Sequence, residues 1–295
     1  MNHVNYNQRL AFINSILEQN QLEASAIDPI EYDAECPFAF NNFIYLVTLS
    51  TPTTLAHTLV SKSGTPGFTT CPLPAGSTSV IVRLTNDHPG TGVNNTNRVE
   101  NEVAFVALLR KALAASAYSH IVPDVYCWAP VSSGQGFTIL QYMPGTMPDR
   151  VFEELSLDDK RVILGQMADI FSLMQSFKLP DTVTALGGLS FDDQAEIVSA
   201  QMTLLKGGPF ESQVDLLTAH FKAQLEEADS TAIIGGWRGN GVRERIEKFI
   251  DSGIKENLKE CTDTKKVMVH SDFSKLFLRK EHPLLPIYIF CLYDD

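Results

Sequence analysis

Two residues near the carboxyl end of the chain have the types and spacing of an acid–base centre. His270 and Asp272 follow Val267-Met-Val269, a short apolar segment that is typical of a strand. An Asp on a loop that a strand supports can accept the proton of a substrate hydroxyl during phosphoryl transfer. The same H-x-D spacing also fits a capped loop with an Asp at the surface, so the elements around it must decide between the two.

Sequence motifs for several other chemistries are absent from the chain. It lacks the phosphate-binding G-x-x-x-x-G-K-[ST] loop, a complete G-x-G-x-x-G, the G-x-S-x-G elbow and H-E-x-x-H. These absences argue against a P-loop NTPase, a dinucleotide enzyme, an α/β-hydrolase and a zinc protease. The five cysteines are scattered and odd in number, which favours reduced thiols over a disulfide framework or a zinc site.

The charge and hydropathy of the chain limit its partners. Of the 295 residues, 35 are acidic and 23 are basic, which gives a formal net charge of −12. Nucleic acid and anionic membrane surfaces both attract a basic face, so neither is an expected partner. Residues 1–20 lack the apolar stretch of a secretory signal, and no apolar run approaches the roughly 20 residues that span a bilayer. We therefore expect a cytoplasmic protein, and the sequence predicts no protein partner.

The first 143 residues are predicted to form a β-rich lobe. Tyr6–Leu22 carries apolar side chains at helical spacing, whereas Phe43–Leu49 and Ser79–Leu84 are rich in the β-branched and aromatic residues of strands. Between these strands, 20 of the 30 residues from Ser50 to Ser79 are Ser, Thr, Pro or Gly. This composition predicts a long, mobile surface loop at 50–79, inserted in a hairpin, and no packed element there.

The remaining elements divide the chain into two parts. A helix is predicted over Arg98–Ala115, followed by strands over Val122–Trp128 and Phe137–Tyr142. After the break at Met143-Pro-Gly145 helical patterns predominate, at 156–177 behind the capping box Ser156-Leu-Asp-Asp159, at Glu211–Ala228 and at Val242–Lys255. The predicted class is therefore α+β, with a small β-rich lobe at 1–143 joined to a mostly helical lobe at 144–295.

The order of these parts resembles the layout of a protein-kinase-like fold. A hairpin with Asn41-Asn42 precedes a strand with Arg83, a helix with Glu102, a strand that ends at Gln141, and then helices and H-x-D. Over about residues 27–274 the chain is similar to a fungal member of the aminoglycoside phosphotransferase and choline kinase-like family. The stretches that carry this resemblance are CPFAFNNFIY at 36–45, NNTNRVENEV at 94–103, LGGLSFD at 186–192, QMTLLKGGP at 201–209 and GVRER at 241–245.

This resemblance implies a fold, an activity and catalytic residues. The fold would be kinase-like, with a small β-rich amino-terminal lobe and a mostly helical carboxyl-terminal lobe. The activity would be ATP-dependent and use Mg²⁺, with transfer of the γ-phosphoryl group to a hydroxyl of a small-molecule acceptor. Asp272 would be the catalytic base for that hydroxyl, and His270 would brace the catalytic loop.

The resemblance also implies nucleotide-binding residues in the first lobe. Arg83 stands where kinases usually carry a phosphate-binding Lys, and Glu102 on the next helix would be its ion-pair partner. A guanidinium holds phosphate in a two-pronged geometry, so the exchange is chemically tolerable. Asn42 lies in the loop that would cover the phosphates, where protein kinases have glycines. The adenine would bind the backbone of Gln141, Tyr142 and Met143.

Each of these assignments has an alternative. Arg83 and Glu102 could form an ordinary surface ion pair, worth under about 1 kcal/mol. Glu100 competes with Glu102 as the partner, although it lies on the far side of Val99 around the helix. Tyr142 and Met143 could simply belong to the apolar core.

The resemblance stops abruptly after Ser274. In the kinase pattern H-x-D-x-x-x-x-N, the Asn ligates a magnesium ion, but the seventh residue after His270 is Phe277, which offers no ligand atom. Asp294 or Asp295 could replace the second metal ligand of the family; the alternative is that 275–295 is an aberrant tail of a truncated helical lobe. The metal ligands are therefore unknown and catalysis is expected to be impaired. A non-catalytic nucleotide-binding pseudokinase, an interaction protein and an unstable truncated product are the alternatives.

Overall fold

Five antiparallel strands form the main sheet of the chain, in the order β1–β2–β3–β5–β4. They are β1 Ala24–Pro29, β2 Asn42–Leu49, β3 Ser79–Thr85, β4 Val125–Ala129 and β5 Phe137–Gln141. The sequence predicts all of them except β1, whose sequence ASAIDP contains a single β-branched residue. The computed structural model describes residues 3–30, 36, 39–61, 69–89, 93–145, 152–204, 207–234, 237–259, 265–269, 278–280 and 287–289, without the side chains of residue 233 and of the last two ranges.

Two helices cover the two faces of this sheet. Neighbouring side chains of a strand point to opposite faces, so Ile44 and Tyr45 belong to different apolar clusters. The cluster with Tyr45 includes helix α1, Tyr6–Gln19, and the cluster with Ile44 includes helix α2, Arg98–Leu113. Arg83 of β3 lies opposite Ile44 in the strand register. Its side chain is therefore on the α2 side of the sheet.

The segment between β2 and β3 differs from its prediction. The two strands are neighbours in the sheet, as expected for an insertion in a hairpin. However, Leu59 and Leu73 are buried in the same apolar cluster as α1, and His57 and Leu73 exchange two backbone hydrogen bonds of 2.8 Å. The prediction of a loop without packed elements at 50–79 is thus wrong for the described residues. The prediction depended on the average composition of the segment, which is dominated by Ser, Thr, Pro and Gly. The few Leu side chains anchor the segment because burial of each apolar side chain is favourable.

Helices predominate in the second half of the chain. They are α3 Leu157–Ser176, α4 Gln213–Ser230, α5 Val242–Lys248 and α6 Ile254–Leu258, with a π-helical turn at Phe249–Gly253 between the last two. The hydroxyl of Ser156 accepts a hydrogen bond of 3.1 Å from the amide of Asp159 and donates one of 2.8 Å to its Oδ2, so Ser156 is the N-cap of α3, as predicted. The three predicted helical regions are confirmed.

A short hairpin interrupts this helical part and is absent from the prediction. It consists of β6 Gly188–Phe191 and β7 Ile197–Ala200, which pair in antiparallel register. Strands of four residues are too short for a clear alternation of apolar and polar side chains. A second antiparallel pair joins β8 Leu278–Lys280 to β9 Ile287–Ile289.

The observed class is α+β, as the sequence predicts. An antiparallel sheet with its two covering helices precedes a mainly helical part, an arrangement compatible with two lobes. In the described part of the chain, no helix is both long enough and apolar enough to cross a membrane.

Candidate functional site

A buried ion pair joins the middle strand of the sheet to helix α2. Nη1 of Arg83 lies 2.7 Å from Oε1 of Glu102, and the two side chains are only 3% and 9% exposed. Arg83 sits on β3 between Ile44 of β2 and Thr138 of β5. The alternative of an ordinary surface pair is therefore wrong. Two opposite charges in this setting interact strongly because little water screens them, and each needs the other to offset its desolvation.

The structure also distinguishes between the two candidate glutamates. Glu102 faces Arg83, whereas Oε2 of Glu100 is buried without a hydrogen-bond partner among the described residues. Burial raises the pKa of the Glu100 carboxyl, because the charged form is desolvated there. The predicted pairing of Arg83 with Glu102 is confirmed, while the binding of phosphate by Arg83 stays a prediction.

Asn42, the residue predicted to cover the phosphates, is the first residue of β2 and is buried. It pairs with Thr85 in the register, two residues along from the position of Arg83, and thus lies on the same face of the sheet. The preceding carbonyl oxygen, that of Asn41, accepts a hydrogen bond of 3.0 Å from Nη1 of Arg98. The first turn of α2 is thereby tied to the start of β2.

The predicted adenine-binding segment begins at the end of β5. The amide of Gln141 donates to the carbonyl oxygen of Asp124 at 2.8 Å, and the amide of Asp124 donates to Oε1 of Gln141 at 3.2 Å. Met143 is buried, and Tyr142 packs against the apolar cluster of α2. Both side chains therefore belong to the apolar core, which is the alternative given for them in the sequence analysis. Because the Gln141 amide is already engaged, a base could contact only the carbonyl of that residue and the backbone after it.

Three asparagines tie the start of α2 to the β6–β7 hairpin, and we call this set the asparagine clamp: Asn94, Asn97 and Asn101. Oδ1 of Asn101 accepts from the amide of Leu189 at 2.7 Å, while Nδ2 of Asn97 donates to the carbonyl oxygens of Leu189 at 3.3 Å and Gln201 at 2.7 Å. Nδ2 of Asn94 donates to the Met202 carbonyl at 3.1 Å. The clamp therefore fixes the helix turn that carries Glu102.

A glycine in β6 makes this close approach possible. A Cβ on Gly188 would lie 2.2 Å from the carbonyl oxygen of Gln201 and 3.1 Å from Oδ1 of Asn101. Sequence reasoning missed the clamp. Asn94 and Asn97 precede the helix start at Arg98, and the partner of Asn101 lies 88 positions away, so no local pattern marks this set.

A cavity of about 320 Å³ lies against the clamp, and we call it the main cavity because of this position; two more open spaces, of about 470 and 440 Å³, lie elsewhere among the described residues. Asn101 and Phe105 of α2 line one side, and 185–189 and 202–204 line others. Its wall also includes 266–269, which leads directly to His270. A much smaller space of about 10 Å³ beside Arg83 and Glu102 shares Asn101, Thr203 and Leu204 with the main cavity. That volume suffices for about one water molecule, so this space would have to widen before a phosphate could contact the ion pair.

Several predicted residues lie outside the described part of the chain. These are His270, Asp272, Phe277, Asp294 and Asp295. Among the described residues, no group of three or more His, Cys, Asp or Glu side chains could hold a metal ion. The catalytic base and the magnesium ligands therefore stay predictions.

The chain has no recognisable relative in two comparisons with known proteins. No protein-family model matches it, and no curated protein sequence matches it. Any assignment of function depends on the residues and contacts of this chain.

Proposed function

We propose that the chain is an ATP-dependent phosphotransferase of the aminoglycoside phosphotransferase and choline kinase-like type, with a kinase-like two-lobe fold. It would transfer the γ-phosphoryl group to a hydroxyl of a small-molecule acceptor, with transfer impaired in this chain. The observation that carries the proposal is the buried ion pair of Arg83 and Glu102. The resemblance implies this pair, and the two side chains lie 2.7 Å apart.

Burial makes a purely stabilising role a poor explanation of this pair. A buried ion pair gives little net stability over apolar residues of similar size, because desolvation offsets the attraction. A guanidinium on the middle strand, oriented by a carboxylate of the next helix, has the chemistry to hold a phosphate. In the proposal, Arg83 binds the phosphates and Glu102 orients the Arg83 guanidinium. Asn42 helps to cover the phosphates, and the backbone at 141–143 binds the adenine base.

Asp272 would orient the acceptor hydroxyl and take its proton. The residues at the expected ligand positions are poorly suited to bind Mg²⁺. Glu102 is engaged with Arg83, and Phe277 stands at the position where the kinase pattern has a ligand. We therefore assign no step to the metal.

A nucleotide-binding protein without turnover is the second candidate. Phe277 favours it, because charge on the transferring phosphoryl group would lack its usual counterion.

Nucleotide binding and turnover can be measured separately on the full chain. Binding of ATP with Mg²⁺ stabilises the folded chain by mass action and so raises its melting temperature. At a ligand concentration of 100 Kd, the free energy of unfolding increases by about 2.7 kcal/mol. Turnover is followed as ADP release with a panel of hydroxyl compounds. We expect Asp272→Ala to abolish ADP release and keep the thermal shift, and Phe277→Asn to increase ADP release.

The outcomes distinguish the two candidates. A thermal shift without ADP release in either the parent chain or Phe277→Asn would favour the binding protein. ADP release that survives Asp272→Ala would refute the role of that residue. The absence of any shift at millimolar ATP would contradict both candidates.

A further inference from the structure

The main cavity has a composition that selects a type of acceptor. Its described lining includes Phe105, Leu179, Val183, Leu186, Met202 and Leu216, together with backbone and a few polar groups. None of the described lining residues is an Asp or a Glu, and the single charged one is Lys266. Its volume of about 320 Å³ is at the lower end of ligand pockets.

We propose that the main cavity binds an uncharged, largely apolar molecule that carries a hydroxyl group, and that this molecule is the phosphoryl acceptor. The second half of the statement rests on the proposed function. The described wall of the cavity disfavours positively charged acceptors. A cation would lose its hydration among apolar side chains, would meet no carboxylate on the described wall and would be repelled by Lys266.

Two polar residues of the cavity wall lie beside the proposed phosphate-binding pair. Asn101 and Thr203 line both the main cavity and the small space beside Arg83 and Glu102. Oδ1 of Asn101 is occupied by the Leu189 amide, which leaves the NH₂ group of Asn101 to donate. A hydroxyl at this end would face the proposed phosphate-binding pair, while the apolar body would contact Leu179 and Val183.

Another part of the described wall precedes the proposed base in the sequence. Val269 lines the cavity, and Asp272 follows it by three residues, so their Cα atoms are at most about 11 Å apart. In the proposed step the hydroxyl oxygen bonds to the γ-phosphorus of ATP, the bond from that phosphorus to the ADP oxygen breaks, and the hydroxyl proton passes to Asp272. The products are ADP and a phosphate monoester of the acceptor.

Binding of simple alcohols to the full chain, without ATP, tests the cavity directly. Isothermal titration calorimetry would compare butan-1-ol, hexan-1-ol and octan-1-ol with hexylamine, which is a cation at pH 7. We expect the dissociation constant to fall about fourfold for each added CH₂ group until the cavity is full. Hexylamine should bind at least about tenfold more weakly than hexan-1-ol, because its charge is desolvated without a partner.

A change of charge in the wall provides the matched variant. Leu204 lines the cavity but is 45% exposed, so Leu204→Glu should fold and should reverse the preference toward hexylamine. Val162→Glu adds the same charge to an exposed position of α3, 58% exposed and outside the cavity lining, and should leave both affinities unchanged. Val183→Phe would fill the cavity and should weaken every alcohol.

The results separate this inference from the proposed function. Equal or tighter binding of hexylamine to the parent chain, or alcohol binding without dependence on chain length, overturns the cavity assignment. Alcohol binding without ATP-dependent ADP release keeps the apolar site and refutes its role as an acceptor site. ADP release with cationic acceptors alone keeps the phosphotransferase and refutes the cavity as its acceptor site.

Discussion

Removal of one partner of the buried ion pair should strongly destabilise the protein. In Glu102→Leu, the guanidinium of Arg83 stays at 3% exposure without its carboxylate. Breaking such a pair costs about 3–5 kcal/mol, a large share of the 5–15 kcal/mol that stabilises a typical domain. A solvated pair would lose less than about 1 kcal/mol, so burial decides the size of the effect.

A double variant separates the two contributions to this loss. In Arg83→Met with Glu102→Leu, both charges are replaced by apolar side chains of similar size. We expect most of the lost stability to return, because no uncompensated charge remains buried. Urea unfolding followed by circular dichroism gives the free energy of unfolding for the parent, both single variants and the double variant.

The matched control is an exposed pair elsewhere in the chain. Lys178 and Asp181 lie 3.2 Å apart with side chains 86% and 91% exposed. Asp181→Ala should change the free energy of unfolding by less than about 1 kcal/mol. The reasoning is refuted if Glu102→Leu loses no more than this control, or if the double variant is as unstable as Glu102→Leu.

Three further predictions concern the clamp, a helix start and a thiol. Asn101→Ala should cost about 1–3 kcal/mol in urea unfolding, because the buried Leu189 amide loses its acceptor. In a Trp237→Phe background it should also change the emission of Trp128, whose ring stacks 5.4 Å from that of Phe191 in the hairpin; unchanged emission would contradict the coupling. Ser156→Ala should cost about 1 kcal/mol through loss of the α3 cap, with Ser176→Ala as a control that should cost less. Burial raises the pKa of Cys71 to about 11, so the folded state holds that proton and stability should fall as pH rises from 9 towards 11. Cys71→Ser should flatten this decline, and an unchanged pH profile would contradict it.

Strong local patterns made most of the fold predictable from the sequence. β2, β3 and β5 carry many β-branched and aromatic residues, and α3 has both a cap and helical spacing. The positions of the two glutamates around the helix likewise favoured Glu102 over Glu100 as the partner of Arg83. What could not be predicted depends on contacts between distant residues. The strand β1 acquires its conformation from pairing with β2, and the burial of Leu59 and Leu73 depends on α1.

The site was predictable only as separate residues. The resemblance implies the pairing of Arg83 with Glu102, but the depth of their burial depends on α2 lying across the sheet. The clamp between Asn101 and Leu189 joins residues 88 positions apart, which no local pattern reveals. The cavity has the same origin, since its walls come from α2, the hairpin and 266–269.

The asparagine clamp has a consequence for solubility. A two-stranded sheet leaves each strand with an open edge, where free amides and carbonyls can recruit a strand of another molecule. At Leu189 both backbone groups are already occupied, the amide by Asn101 and the carbonyl by Asn97. Two side chains from a helix thus take the place of a neighbouring strand, and the hairpin is protected at that point against intermolecular β-pairing.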